Sequence, residues 1–131
     1  MRILLDTSCW LWMLAASDRL GPDARARLED RGNELILSAA SSWEVAIKYA
    51  LGKLPLPEPP GQYIPSRIHA TGVTPLQVEH SHALAVADLP HHHRDPFDRL
   101  LIAQAGMEGV PLMTADRVFG AYDIEVIPAD S

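Results

Sequence analysis

A single cysteine, Cys9, serves the whole chain of 131 residues. No internal disulfide can form, which excludes a disulfide-stapled scaffold and suits a reducing compartment. Cys9 is expected to be a small buried apolar residue of the first helix, since nothing around it calls for a catalytic thiol. Long apolar runs are also missing. Asp6 splits the N-terminal hydrophobic stretch, and neither piece approaches the roughly 20 residues of a membrane span. A cytoplasmic protein with no membrane partner is expected.

Positive charge is scarce as well. Lys and Arg number 11 against 17 Asp and Glu, a net charge of −6, which argues against a broad nucleic-acid-binding face. Part of that deficit comes from four separated acids discussed below. Lys48, Lys53, Arg94, Arg99 and Arg117 lie close to them in sequence, so a local basic rim is compatible with the composition. Internal repeats and low-complexity segments are absent. The 11 prolines gather between Pro55 and Pro65 and at element ends, where they punctuate the chain without disordering it.

What is present is an ordinary globular composition, 47% apolar and 21% charged. The length predicts one domain over residues 1–131, with enough chain to build a real core. Short apolar runs at 3–5, 35–37, 110–113 and 124–127 read as strands buried on both faces of a parallel sheet. Between them lie helical stretches. Thr7 or Ser8 is expected to cap a first helix with no polar face at 10–14, which must be internal or covered by a partner. Further helices are predicted at 22–30, from Ser41 or Ser42 to a Gly52 C-cap, and around 62–70. Another runs from Thr74-Pro75 to Leu89. The last opens with Asp95 as N-cap and Pro96 at the first helical position, ending near Gly106 or Gly109.

Strands separated by helices predict an α/β fold with helices on both faces of the sheet. Asp6 and Asp116 follow strands, and Glu44 lies in the helix after another. Connectivity therefore puts all three at the carboxyl edge, where open parallel sheets collect their ligands. Asp98, in the helix leading back to the penultimate strand, is not placed by connectivity alone.

Four segments together resemble the PIN-domain ribonucleases, and among them the VapC toxins of bacterial toxin–antitoxin pairs. They are Ile3-Leu4-Leu5-Asp6-Thr7-Ser8; Ser41-Ser42-Trp43-Glu44-Val45-Ala46-Ile47-Lys48 trailed by Leu51-Gly52-Lys53-Leu54; the run from Arg94 through Asp95-Pro96-Phe97-Asp98-Arg99 to Ala105; and Met113-Thr114-Ala115-Asp116-Arg117-Val118-Phe119. The resemblance implies a three-layer α/β/α fold, Mg²⁺ or Mn²⁺ dependence, endonucleolytic cleavage of RNA, and inhibition by a small antitoxin. A homodimer or a toxin–antitoxin hetero-oligomer is implied too, and either would cover the apolar first helix.

The chemistry behind this is specific. Phosphodiester hydrolysis needs an activated water and relief of charge on phosphate and leaving oxygen, which divalent metals supply. Mg²⁺ takes oxygen ligands, usually one or two carboxylates. Asp6 and Asp98 are expected to touch the metal directly, while Glu44 and Asp116 bind a second ion or hold its waters. Thr7, Ser8 and Thr114 are expected to hydrogen-bond those carboxylates or the phosphate. Each acid also has a plain structural use: Asp98 against the helix dipole, Glu44 paired with Lys48, Asp6 as a cap, Asp116 in a turn. His91, His92 and His93 read as a solvated loop, because adjacent side chains rarely converge on one ion. The rival functions are a catalytically silent PIN-like protein-binding module, and a phosphoryl-group enzyme or receiver domain. The latter would want paired acids after the first strand, where this chain has Asp6-Thr7-Ser8.

Overall fold

Ile3, Leu4 and Leu5 are wholly buried because β1 (Arg2–Leu5) runs through the middle of a sheet packed on both faces. The computed structural model describes residues 1–131. β2 (Glu34–Ser38), β3 (Thr74–Leu76), β4 (Leu112–Thr114) and β5 (Val126–Pro128) complete a parallel sheet in the order β3-β2-β1-β4-β5. Register pairs Leu4 with Ile36 on one side and with Leu112 on the other.

Alternation along the strands divides the core. Ile3, Leu5, Leu37 and Met113 face α1 (Thr7–Ala15) and α2 (Pro22–Glu29), while Leu4, Ile36 and Leu112 face α6 (Pro96–Glu108). α3 (Ala39–Ala50) and α4 (Pro60–Thr71) pack through Val45, Tyr63 and Ile64, and the short α5 (His80–Ala85) lies against α6. This is the three-layer α/β/α arrangement expected. No helix is long and apolar enough to cross a membrane. Leu11, Trp12, Met13 and Leu14 of α1 lean on the core but stay half-buried, so that helix keeps a partly open apolar face.

Several boundaries differ from expectation for identifiable reasons. The helix expected from Thr74-Pro75 is instead β3, followed by α5 and a 3-10 turn at Val86–Asp88. A proline removes one ladder donor, which an edge strand tolerates, and Pro75 pairs with Leu37 at that edge. α3 starts two to three residues early because Ser38, not Ser41 or Ser42, is its N-cap, accepting from Ala40 N at 3.0 Å. The last two strands sit about two residues further along, at Leu112–Thr114 and Val126–Pro128. α2 and α6 begin at Pro22 and Pro96 as read, and Gly109 ends α6 in the left-handed region at φ +65°.

The chain runs outward from β1 to β2 and β3, then returns to β4 and β5 on the other side. The carboxyl ends of β1 and β4 therefore flank a topological switch point, the usual crevice for ligands in open sheets. Asp6 follows β1 directly, and Asp116 lies two residues beyond β4.

Candidate active site

Asp6 ends β1 and caps α1. It is Asp6, not Thr7 or Ser8, that performs the capping: Cys9 N donates to its Oδ1 at 2.6 Å. Thr114 Oγ1, from the end of β4, donates to Oδ2, and Asp116 N donates to that same hydroxyl at 3.0 Å. The carboxylate is thus locked across the switch point. Burial pushes its pKa up; the Thr114 and Cys9 bonds pull it down, and Glu44 and Asp116 push it up again. Burial also drives the Cys9 thiol upward, so the buried cysteine carries no thiolate character.

Glu44 lies in α3 and is almost fully buried. Its Oε2 pairs with Lys48 Nζ one turn on, while Oε1 is buried with no hydrogen-bond partner. Such a bare oxygen is costly unless something positive is meant to meet it. The ion pair raises the Lys48 pKa, first through the hydrogen bond to Glu44, with burial opposing and Asp95 and Asp98 adding to the rise.

Asp98 sits on the first turn of α6, where Asp95 is the N-cap as expected, accepting from Phe97 N at 2.8 Å and Asp98 N at 3.2 Å. Burial first, then repulsion from Asp95, Glu44 and Asp6, lifts the Asp98 carboxyl to about 7, with His93 pulling it back. Asp116 caps the 3-10 turn Arg117–Ala121 through Val118 N at 3.0 Å. The four acids therefore feel one another electrostatically although they come from four distant segments.

Histidine 93 corrects the solvated-loop expectation. Its Nε2 lies 3.0 Å from Asp98 Oδ2 and 3.0 Å from Asp116 Oδ2, while His91 and His92 stay exposed. Adjacent histidines do not converge, but one of three does. The signal available in the sequence was its place two residues before the Asp95 cap, where an incoming chain folds back over a helix's first turn.

Other supporting residues fall differently from expectation. Thr114 binds an acid as foreseen, but Thr7 Oγ1 donates to Ser41 Oγ at 2.9 Å, and Ser8 is exposed. Arg99 is not a rim cation. It is 8% exposed and turned inward onto backbone carbonyls. The chain's only two lysines, Lys48 and Lys53, do line a groove of about 400 Å³ beside Glu44, walled by Ser8, Leu11 and Trp12. Trp43, 59% exposed, stands next to Glu44 with Phe97 edge-on at 4.9 Å between ring centroids.

Oxygen donors, a bare buried Glu44 oxygen and the raised, buried carboxyls of Asp6 and Asp98 fit a hard divalent cation. His93, Asp98 and Asp116 offer ligand atoms all within 4.8 Å of one another. Two ionised carboxylates at that spacing repel by roughly 3 kcal/mol at an effective dielectric of 20. A cation relieves that repulsion.

The comparisons with known proteins bear on the family and the fold. A family model described as PIN domain matches residues 3–125. Over 68 residues the chain is 52% identical to Ribonuclease VapC16 of Mycobacterium tuberculosis (strain ATCC 25618 / H37Rv), a match covering 49% of this chain and 48% of that protein. The shared stretch thus spans about half of that relative. Among solved structures, VapBC2 from Rickettsia felis bound to a DNA fragment from their promoter superposes with a TM-score of 0.71 at 14% identity, covering 98% of each chain. VapBC-1 from nontypeable Haemophilus influenzae gives 0.64 at 17% identity over 100% of each chain. At those identities the likeness is one of fold.

Proposed function

The chain belongs to the PIN domain family, and from that premise we propose that it is a single-domain, divalent-metal-dependent endoribonuclease, the toxin of a VapBC-type pair acting in the cytoplasm. What supports the reading is that Glu44 and Asp116 act on Asp6, and Glu44 and Asp6 act on Asp98, across four distant segments, while Glu44 Oε1 is buried and unpartnered. A protein-binding module has no use for that repulsion. The half-match to a named ribonuclease supports the same activity.

Asp6 and Asp98 would hold Mg²⁺ or Mn²⁺, with Glu44 and Asp116 completing its surroundings. The ion supplies Lewis acidity at the phosphate and acidifies a bound water. The chain's own residues do the rest. Thr114 and Cys9 N fix the Asp6 carboxylate so that it cannot turn away. Lys48, tied to Glu44, and Lys53 set positive charge on the groove beside the acids, where an RNA phosphate can enter despite the net negative charge.

Trp43 favours single-stranded RNA over a small phosphorylated substrate, because an exposed indole beside the acids gives a base a stacking face. Stacking of this kind is worth about 1–3 kcal/mol per base. Trp43→Ala should therefore raise KM for an oligoribonucleotide about 5- to 150-fold with kcat little changed. An equal fall in kcat at constant KM would instead put Trp43 in the chemistry. The half-buried outer face of α1 is the surface we assign to the antitoxin or a second copy.

Incubating the purified protein with total RNA, with Mg²⁺, with Mn²⁺ and with chelator, tests the proposal. Cleavage is expected with either ion and none with chelator. A folded protein, free of antitoxin, that cuts nothing with either ion would leave the protein-binding module as the better reading.

A further inference from the structure

His93 is absent from the four-acid scheme, yet its ring bridges two of the acids. Nε2 is 3.0 Å from an oxygen of Asp98 and 3.0 Å from one of Asp116. Its other nitrogen, Nδ1, accepts the backbone N–H of Asp95 at 3.2 Å. A ring nitrogen that accepts carries no proton, so the hydrogen of this imidazole is on Nε2, bonded to Asp116 Oδ2 and lying against Asp98 Oδ2. That is the reverse of a metal-binding histidine, whose bare nitrogen faces the ion while its N–H is given to a carboxylate or carbonyl.

The residue is held on every side. Its backbone N donates to Tyr122 Oη at 2.8 Å, its carbonyl accepts from Arg99 Nη1 at 3.4 Å, and its ring stands edge-on to Phe119 at 5.6 Å. That a ligand belongs among the acids is indicated separately by Glu44, 5% exposed with its Oε1 unpartnered.

We propose that His93 is a positioning residue: its Nε2–H bonds Asp116, its ring edge rests against Asp98, and together these contacts hold the two carboxylates at the separation needed to grip a divalent cation, without His93 binding the ion itself. The ion then meets oxygen donors only, as hard Mg²⁺ prefers. The inference rests on the nuclease reading for the presence of the ion, but the clasp can be tested without cleavage.

Long-range ¹H–¹⁵N correlation spectra of the labelled full chain read the histidine tautomer directly, with His93→Gln supplying the assignment. The expected result is an Nε2–H ring in chelator and again at saturating Mg²⁺. A shift of the proton to Nδ1 on adding Mg²⁺ would make Nε2 a ligand and overturn the proposal. Calorimetric titration with Mg²⁺ gives a second readout, with folding of each variant checked by circular dichroism. His93→Ala should weaken binding about 10- to 100-fold. His93→Gln, whose amide nitrogen reaches the Nε2 position, should recover most of that, and His93→Asn, which reaches only the Nδ1 position, should not. Equal affinity in all three overturns the clasp. If RNA is cut and the three variants bind Mg²⁺ alike, the clasp fails and the nuclease stands. If the clasp behaves as expected and no RNA is cut, the nuclease fails alone; no binding of Mg²⁺ or Mn²⁺ by the wild type sinks both.

Discussion

Replacing Asp98 by Asn raises the stability of the metal-free protein at pH 8 by about 2 kcal/mol or more, and lowers RNA cleavage by about 10²–10³-fold, as losing one preorganised electrostatic contact does elsewhere. The first half follows from burial and repulsion, which lift this carboxyl from 3.8 to about 7. An acid with a raised native pKa binds its proton more tightly folded than unfolded. Between pH 4 and 7 the native state therefore holds more protons, and stability falls as pH rises through that window. Above pH 7 the whole penalty applies: a lift of that size is worth up to about 4 kcal/mol, which solvent around this half-buried carboxyl reduces towards about 2 kcal/mol. The asparagine variant escapes the penalty, so its advantage should be largest at pH 8 and shrink towards pH 5.

Thermal melts in chelator at the two pH values measure this. Mg²⁺ at a thousand times its dissociation constant should close the gap: the wild type then gains about 4 kcal/mol, and the variant gains much less. A variant less stable than wild type at pH 8 in chelator would mean that Asp98 serves the helix dipole and not a cation.

The second large effect lies at Arg99. Its guanidinium is buried with no carboxylate beside it and donates instead to the carbonyls of Pro90 at 2.9 Å, Val86 at 3.1 Å, Leu89 at 3.3 Å and His93 at 3.4 Å. Tyr122 Oη, at 3.3 Å, joins the same network and also receives the amides of His92 and His93. Arg99 and Tyr122 together thereby supply hydrogen bonds to a segment whose only regular structure is the 3-10 turn at its start. Arg99→Met strands the carbonyls of Leu89 and His93, while Pro90 O keeps Tyr122 Oη and Val86 O keeps Leu89 N; each stranded group costs about 1–3 kcal/mol where water cannot replace the donor. The expected loss is about 3–5 kcal/mol in chemical denaturation. Lysine keeps the charge but lacks the planar fork, so Arg99→Lys should recover only part. A loss below about 1 kcal/mol in Arg99→Met would show that the loop does not depend on this residue, contrary to the burial and bonding described.

These two residues also show where sequence reading succeeds and where it stops. Asp6 was legible because an apolar run ending in an acid has few uses at a parallel strand's carboxyl end. Asp95 and Pro96 announced α6 by local rules of capping that need no tertiary information. The carboxyl edge follows from connectivity, because strands joined by helical crossovers run parallel, but the strand order that makes a switch point there comes from the structure. β3 was hidden because Pro75 speaks equally for a helix start and an edge strand, and only pairing with Leu37 decides between them.

Arg99 looked like a rim cation beside Asp98. Its inward turn depends on a carbonyl cluster assembled by residues 86–93, far from any periodic pattern. His93 was masked by its two neighbours: three histidines in a row carry no period, and which one faces the acids is set by the Asp95 backbone. The sequence around Glu44 speaks both for an ion-pair partner and for a site acid. Glu44 has one oxygen in each role, Oε2 on Lys48 and Oε1 bare.

Whether a cation sits among these acids can be asked of one diffraction experiment. Crystals soaked in Mn²⁺ and recorded at the manganese edge should show an anomalous peak between Asp6 and Asp98, within reach of Asp116 and Glu44. A peak elsewhere on the surface, with that crevice dark at saturating Mn²⁺, would contradict the account.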